Sequence, residues 1–379
     1  MKYCKKCLTT DLRPNAFFED GVCIACNYST KASSDGLNNQ LISLRKYIQK
    51  QRRYKKNKYS HDCIVGVSGG KDSTRQAHWV RDRLQLRPLL ICAAYPPKQM
   101  SQIGADNLSN LISMGFDLIS ATPAPKTAAY LSRRAFEKFG NVCTSTEIAL
   151  FSTVPRIAIT TGINLIFWGE NPALQVGDAA VLGVNEFDGN NLRNLNTLQN
   201  APLDWIEEVA DAPYKVDHYR YPSREKFDKN KTSIIYLGPA WDDWSNSQNA
   251  TYAALQGLNL RPNEEHATGD LSNASMLDEE FTNINMMIKY FKFGFGRATD
   301  QVNEQIRNGI LTRDQAINIV EKYDGVCSDT IIEHYCRYIQ ISPFRFWEIV
   351  NQFVNKDIFE IRRNQRPVKK FSVGSNFGY

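Results

Sequence analysis

Cys63-Ile64-Val65-Gly66-Val67-Ser68-Gly69-Gly70-Lys71-Asp72-Ser73 is the stretch that decides how this chain folds. Its first five residues form a short apolar run closed by a Gly-rich turn, the pattern of a strand buried on both faces. The stretch from Asp72 to Leu86 then reads as a helix. A turn that leads from a strand into a helix converges backbone N–H groups on an anion, and the helix dipole adds to the attraction. Gly69 and Gly70 let the backbone approach phosphate oxygens with no Cβ in the way. Lys71 supplies positive charge, and the hydroxyls of Ser68 and Ser73 can donate hydrogen bonds. Asp72 can hold Mg²⁺, which prefers carboxylate and phosphate oxygens. A Walker A loop is excluded, because that motif needs Ser or Thr after Gly-Lys and Asp72 stands there instead.

Working outward, further apolar strands are expected at 89–94, near Leu118-Ile119, at Leu165-Ile166-Phe167-Trp168 and at Ile234-Ile235-Tyr236-Leu237. Helices are expected at 105–114, 127–139 and 147–161. Such alternation predicts an α/β fold, a doubly wound parallel sheet covered on both faces. In such sheets ligands sit outside the carboxyl ends of the strands, where strand order reverses. The turn Gly169-Glu170-Asn171 follows a strand, so Glu170 is a candidate catalytic contact for Mg²⁺ or substrate; the alternative is a capping or salt-bridged surface acid. The Asn-, Asp- and Gly-rich stretch 171–224 is either a lid over the site or plain loop. Beyond about Leu277 the chain turns helical, with apolar residues at helical spacing through Ile361. The expected organisation is a Cys-rich module at 1–40, a basic helical connector at 41–60, an ATP-binding domain at 61–245 with the insertion 171–224, and a mainly helical domain at 246–379.

The 379 residues, 42% apolar and 23% charged, suffice for two globular cores. No apolar run is long enough to span a bilayer, and the first residues lack a secretory signal, so a cytoplasmic location is expected. The net charge of +6 only weakly favours a polyanion, yet it is uneven. Between Arg45 and Lys58 stand eight basic residues and no acidic one, and a second cluster comprises Arg362, Arg363, Arg366, Lys369 and Lys370. Each reads as a solvated face or as a phosphate-binding surface.

Cys4-x-x-Cys7 and Cys23-x-x-Cys26 lie fifteen residues apart, a normal loop between knuckles. Four protein ligands make a closed, structural site for which Zn²⁺ is the expected ion; free thiols and an iron–sulfur cluster are the alternatives. Metal would fold a segment too poor in apolar residues to fold alone. Cys63 and Cys92 fall in expected strands and read as small buried hydrophobes. No cysteine follows Met1 to act as an N-terminal nucleophile, and none sits in a Gly-x-Cys-x-Gly elbow, so a glutaminase is not expected in this chain and any ammonia is expected from solution or from a separate glutaminase.

Ser68-Gly69-Gly70-Lys71-Asp72-Ser73 resembles the PP-loop of the ATP pyrophosphatase superfamily, whose fold is of the adenine nucleotide α-hydrolase-like type. The resemblance implies that this loop holds the β,γ-pyrophosphate of ATP and that AMP passes to substrate. Together with the Cys4 module, the segment 290–300 (Tyr-Phe-Lys-Phe-Gly-Phe-Gly-Arg-Ala-Thr-Asp) and the stretch Glu304 to Arg313, it resembles the N-acetyl sugar amidotransferase family of surface-polysaccharide biosynthesis. That resemblance implies an ATP-dependent carbon–nitrogen ligase converting a sugar acetamido group to acetamidino. Its implied substrate is a nucleotide-linked sugar. Its implied partners are a separate glutaminase and a barrel-shaped subunit like those of imidazole glycerol phosphate synthase. Lys292 and Arg297 could meet substrate phosphates or pyrophosphate, or form structural ion pairs. A tRNA thiolase, with Cys143 as its catalytic thiol, is the alternative enzyme; nucleic acid is otherwise not the expected partner. The non-enzymatic alternative is a metal-bearing assembly module that merely binds ATP.

Overall fold

The computed structural model describes residues 1–14, 16–31, 34–54, 60–168, 204–208, 216–240, 245–262, 264–361 and 366–378. Near the N-terminus a two-residue ribbon, β1 (Phe18–Glu19) and β2 (Val22–Cys23), leads into α1 (Ile24–Lys31) and α2 (Ser34–Arg52). Then come β3 (Cys63–Gly66), α3 (Lys71–Asp82), β4 (Pro88–Ala93), α4 (Gln102–Ser113), β5 (Asp117–Ala121), α5 (Pro125–Phe139), α6 (Thr144–Thr161), β6 (Leu165–Trp168) and β7 (Ser233–Tyr236).

β3 to β7 form one sheet in the order β5-β4-β3-β6-β7, every neighbouring pair parallel. Alternate residues of each strand feed opposite faces, which explains the unbroken apolar runs. Val65, Leu90, Cys92, Phe167 and Ile235 pack with Ala77 and Val80 of α3 and with Leu44 and Ile48 of α2. Ile64, Leu89, Ile91, Ile166 and Ile234 pack with Val154 and Ala158 of α6. The expected doubly wound sheet is therefore present. The basic connector is not free-standing: its helix starts at Ser34, ahead of the expected Leu41, and seats Leu44 and Ile48 on the sheet while Arg45, Lys46, Lys50 and Arg53 face solvent. From β3 the chain builds outward to β4 and β5 on one side and places β6 and β7 on the other. The reversal therefore falls between β3 and β6, where the Ser68–Ser73 turn emerges.

The helix Asn246–Leu255 packs along α3. Beyond it, after the single turn Glu265–Thr268, lie the longer helices Thr282–Phe293, Arg297–Arg307, Arg313–Tyr323, Asp329–Ile339 and Pro343–Phe353. Their starts are well signalled: Thr312 and Gln315 form a capping box, and Ser328 and Ser342 cap the two helices after it. Their core of Phe281, Met287, Phe291, Tyr335, Phe346 and Ile349 also takes in Phe136 and Val142, and Met1, Tyr3 and Leu8 from the N-terminus. A short antiparallel ribbon, β8 (Phe359–Glu360) with β9 (Val368–Lys369), closes the helical region where the sequence suggested helix alone. No helix among the described residues is long and apolar enough to cross a membrane.

Candidate active site

The turn after β3 has the form the sequence implied. Gly69 takes φ +83°, and a Cβ there would come 3.1 Å from the Gly104 carbonyl and 3.2 Å from Asn107 Cβ. Gly70 caps α3 with no side chain of its own, and Thr74 N–H makes the bond back to its carbonyl at 3.0 Å. The N–H groups of Lys71, Asp72 and Ser73 therefore belong to the first turn, whose donors have no partner within the helix. Ser73 Oγ donates to the Gly70 carbonyl (3.2 Å) and accepts from Ser68 N–H (3.4 Å), which pins both ends of the loop.

Lys71 is only 6% exposed and donates from Nζ to Asp72 Oδ2 at 2.7 Å. Asp72 Oδ1 accepts from Asn249 Nδ2 at 2.6 Å, and Asn249 in turn accepts from Arg75 at 2.8 Å. Asn249 is fully buried and comes from the helix Asn246–Leu255, which the sequence gave no reason to bring here.

A second group missed in the sequence faces the loop from the segment Leu277–Glu280. The Asp278 carboxylate accepts from Tyr95 Oη at 3.2 Å, and the nearby Ser68 hydroxyl favours its ionised form. Gly104 permits this approach, since a Cβ on it would stand 2.6 Å from Asp278 Cα. Ser101 donates to the Leu277 and Asp278 carbonyls, and Glu279 accepts from Gln99 at 3.2 Å. Glu279 also accepts from the N–H groups of Phe281 and Thr282 at the start of a helix. In the sequence, acids preceding a helix read as caps, and that reading hides a long-range role.

Burial raises the carboxyl pKa of both Asp278 and Glu279, and it pushes Glu147, in the first turn of α6, up to about 8. Tyr95 is held well above its usual range by burial and then by the charges of Asp278 and Glu279. Cys143 is raised likewise, by burial first and then by Glu279 and Glu147, so its thiol stays protonated at neutral pH. Its Sγ lies 3.7 Å from Thr282 Oγ1.

The remaining candidates are scattered. Glu170 and most of the insertion 171–224 lie outside the described residues, as do Arg362 and Arg363. Lys292 is not brought to the loop: its ammonium donates to the Phe139 carbonyl at 2.9 Å and lies over the rings of Phe293 and Phe353. Arg297 hydrogen-bonds Ser275 Oγ and stands 3.9 Å from Asp270 Oδ2.

Cys4, Cys7, Cys23 and Cys26 converge with all four sulfurs within 4.8 Å of one another, every one buried. The amides of Lys6 and Cys23 point at Cys4 Sγ (3.4 and 3.3 Å), and that of Thr9 points at Cys7 Sγ (3.5 Å). Such N–H···S contacts favour thiolates, so the cluster suits a metal ion. The module rests on the helical region: Leu8 N–H donates to Asn303 Oδ1 at 2.7 Å, and Arg313 Nε donates to the Cys7 carbonyl at 3.4 Å.

Residues 276–372 match the family described as the LPS biosynthesis protein WbpG-like, C-terminal domain. No curated protein matches the chain. Among solved structures, the chain is similar to the NH3-dependent NAD synthetase of Campylobacter jejuni, with 12% identity, a TM-score of 0.29 and coverage of 60% of this chain and 99% of that one. It is similar as well to the U34-tRNA thiolase NcsA of Methanococcus maripaludis with its [4Fe-4S] cluster, with 12% identity, a TM-score of 0.30 and coverage of 90% and 96%. Overlap this loose leaves the reading of the site to the chain's own residues.

Proposed function

We propose, from the premise that this is a WbpG-like PP-loop protein, that the chain activates the acetamido oxygen of a nucleotide-linked sugar with ATP and replaces it with nitrogen. The observation that carries the reading is the packing of Asp278 against the loop through Gly104, where a Cβ would stand 2.6 Å from Asp278 Cα while a Cβ on Gly69 would stand 3.1 Å from the Gly104 carbonyl. Asp278 lies in the segment matched to a lipopolysaccharide-biosynthesis domain, so that domain walls the phosphate loop and can offer substrate to it.

An amide oxygen is a poor leaving group. Its attack on the α-phosphorus of ATP gives an O-adenylyl imidate and releases pyrophosphate. Lys71 and the first-turn amides of α3 stabilise the charge that grows on the pyrophosphate. Asp72 would hold Mg²⁺, which neutralises further phosphate charge when bound. Ammonia then adds to the imidate carbon, a proton is lost from the nitrogen, and AMP departs to leave the amidine. The Asp278–Tyr95 pair would handle protons beside the loop. The Cys4 module would hold structural Zn²⁺. A single tetrahedral ion with Zn–S bonds of about 2.3 Å fits sulfurs this close better than a cluster whose ligands reach different irons. Ammonia would come from a separate glutaminase through a barrel-shaped partner. The buried, protonated Cys143 supports amidotransfer over the thiolase alternative, which needs a reactive thiolate.

The test is mass spectrometry after incubation with ATP, Mg²⁺, ammonium and a panel of UDP- and CMP-linked acetamido sugars. AMP formation together with the mass change of oxygen replaced by NH is expected. Sulfur incorporated into tRNA, with no change in any sugar, would overturn the reading.

A further inference from the structure

The wall that carries Asp278 is an irregular segment held in shape from outside. Between Gly269 and Phe281 the chain forms no helix and no strand, apart from one bridge between Met100 and Glu279. Two residues with side chains, Asn273 (φ +45°) and Met276 (φ +51°), sit there in the left-handed region. A residue with a Cβ keeps that conformation only where its surroundings enforce it. Arg261 ties down both. Its N–H donates to the Asn273 carbonyl at 2.9 Å, and its guanidinium donates to the Met276 carbonyl from Nε at 3.1 Å and from Nη2 at 2.6 Å. Nη2 also donates to the Glu279 carbonyl at 2.9 Å. The two carbonyls gathered by the guanidinium, those of Met276 and Glu279, lie on either side of Asp278 in the chain.

Arg261 is itself anchored to the helix beside the phosphate loop. Two residues before it, Asn259 N–H donates to Asn107 Oδ1 at 2.7 Å, and the Asn259 carbonyl accepts from Asn107 Nδ2 at 3.1 Å. Asn107 is a buried residue of α4, and its Cβ lies 3.2 Å from where a Cβ on Gly69 would stand. The same helix contributes Gly104, against which Asp278 packs. The contacts close a ring that runs from the loop to α4, Asn259, Arg261 and the Met276–Glu279 segment, then back to α4. Among the described residues, the hydrogen bonds of the Arg261 guanidinium all go to backbone carbonyls. Its charge bears on the acid between them: burial raises the Asp278 pKa, and Arg261 is among the groups that pull it back. Tyr95, Cys92, Cys143 and Glu279 also lie within electrostatic reach of Asp278, and none of them is a cation. Lys71, the cation of the loop, is paired with Asp72.

We infer that Arg261 is a positioning residue for the reaction: its guanidinium clamps the chain on both sides of Asp278 and so fixes where that carboxylate stands beside the phosphate loop. This rests on the function proposed above, in which the Asp278–Tyr95 pair handles protons. Proton transfer needs heavy atoms within about 2.6–3.2 Å of each other, and a segment with two left-handed residues relaxes once its carbonyls are released. Holding two carbonyls at once takes the planar, many-donor fork of arginine, which the point charge of lysine does not reproduce.

The test compares the full wild-type chain with Arg261→Gln, which loses charge and fork, and Arg261→Lys, which keeps the charge alone. The first readout needs no reaction. Ser101 N–H donates to the Asp278 carbonyl at 3.1 Å, so hydrogen exchange of the Ser101 amide reports whether the wall stays seated. Exchange should be about 10-fold faster or more in Arg261→Gln. The second readout is AMP formation with ATP, Mg²⁺, ammonium and an acetamido sugar that the wild type turns over. In Arg261→Gln kcat should fall about 10²-fold, the scale of a small misplacement, with KM for ATP within about twofold. The acid limb of its kcat profile should move to higher pH, because a cation that favours ionised Asp278 is gone. Arg261→Lys should lose kcat yet keep the acid limb near its wild-type position. Wild-type exchange and kcat in Arg261→Gln would overturn the inference. So would a lower kcat with an unmoved acid limb in that variant, which would make Arg261 a support of the fold only. A wild type that forms no AMP with any acetamido sugar would remove the proposed reaction, and the exchange measurement alone would then decide the clamp. If Arg261→Gln does not fold, exchange and kcat in Arg261→Lys decide.

Discussion

Asn249 donates from Nδ2 to Asp72 Oδ1 at 2.6 Å, while its own Oδ1 accepts from Arg75 at 2.8 Å. The amide thus aims the carboxylate proposed to hold Mg²⁺ from a helix outside the strand–loop–helix unit. Groups that orient a metal-binding carboxylate commonly matter about 10- to 100-fold in metal affinity or activity. Asn249→Ala should raise the Mg²⁺ concentration for half-maximal AMP formation by about that factor and leave the fold in place. Steady-state assays across a Mg²⁺ series, with circular dichroism as the control, check it. An unchanged Mg²⁺ requirement would make Asn249 merely a packing residue.

Lys71 is buried and paired with Asp72 across 2.7 Å, so its charge is held next to the first-turn amides of α3 before any nucleotide arrives. Lys71→Met keeps the apolar stem and deletes the charge. AMP formation should fall about 10²- to 10³-fold, the scale seen when one donor to a developing oxyanion is lost. Near-normal single-turnover adenylylation in this variant would relocate the phosphate site.

The parts of this site that were legible are those whose signals are local. Gly69, Gly70 and the apolar run at 63–67 announce a strand, a turn and a helix within eleven residues, and the fold has them there. β3, β4, β6 and β7 were visible because both faces of the sheet are buried there, while the exposed edge strand β5 showed only Leu118 and Ile119. Asp278 and Asn249 were not legible, because no spacing rule links a loop to a segment some two hundred residues away. The β8–β9 ribbon was missed because strands of two residues carry no period. The buried side of α2 had a signal in Leu44 and Ile48, four residues apart, but the surrounding basic residues drew attention to its solvent face.

Glu147 gives a pH dependence whose sign can be worked out. Burial raises its folded pKa from the ordinary 4.5 to about 8, so between these limits the folded chain binds more protons than the unfolded one. Stability must therefore fall as pH rises from about 4.5 toward about 8. Asp278 and Glu279, raised for the same reason, act in the same direction. Glu147→Gln removes its share, and thermal unfolding from pH 6 to 9 should show a shallower loss of Tm than the wild type. Parallel pH profiles for the two proteins would mean that Glu147 titrates normally.

The Cys4 module is bound into the helical region on several fronts. The Met1 ammonium donates to the Phe377 carbonyl at 2.7 Å, Tyr3 N–H donates to Asn376 Oδ1 at 3.0 Å, and Asn303 bridges Leu8 and Thr9. Met1, Tyr3 and Leu8 also belong to the helical core. Removing the metal should therefore unfold more than the knuckles. Cys23→Ser, or chelation of the wild type, should lower Tm by more than about 5 °C and expose the amides of the helix Arg297–Arg307 to hydrogen exchange. Deleting the residues before Leu41 should give an insoluble chain, because it strips apolar cover from Phe291 and its neighbours. Exchange confined to residues 1–31 after chelation would show instead that the module folds, and fails, by itself.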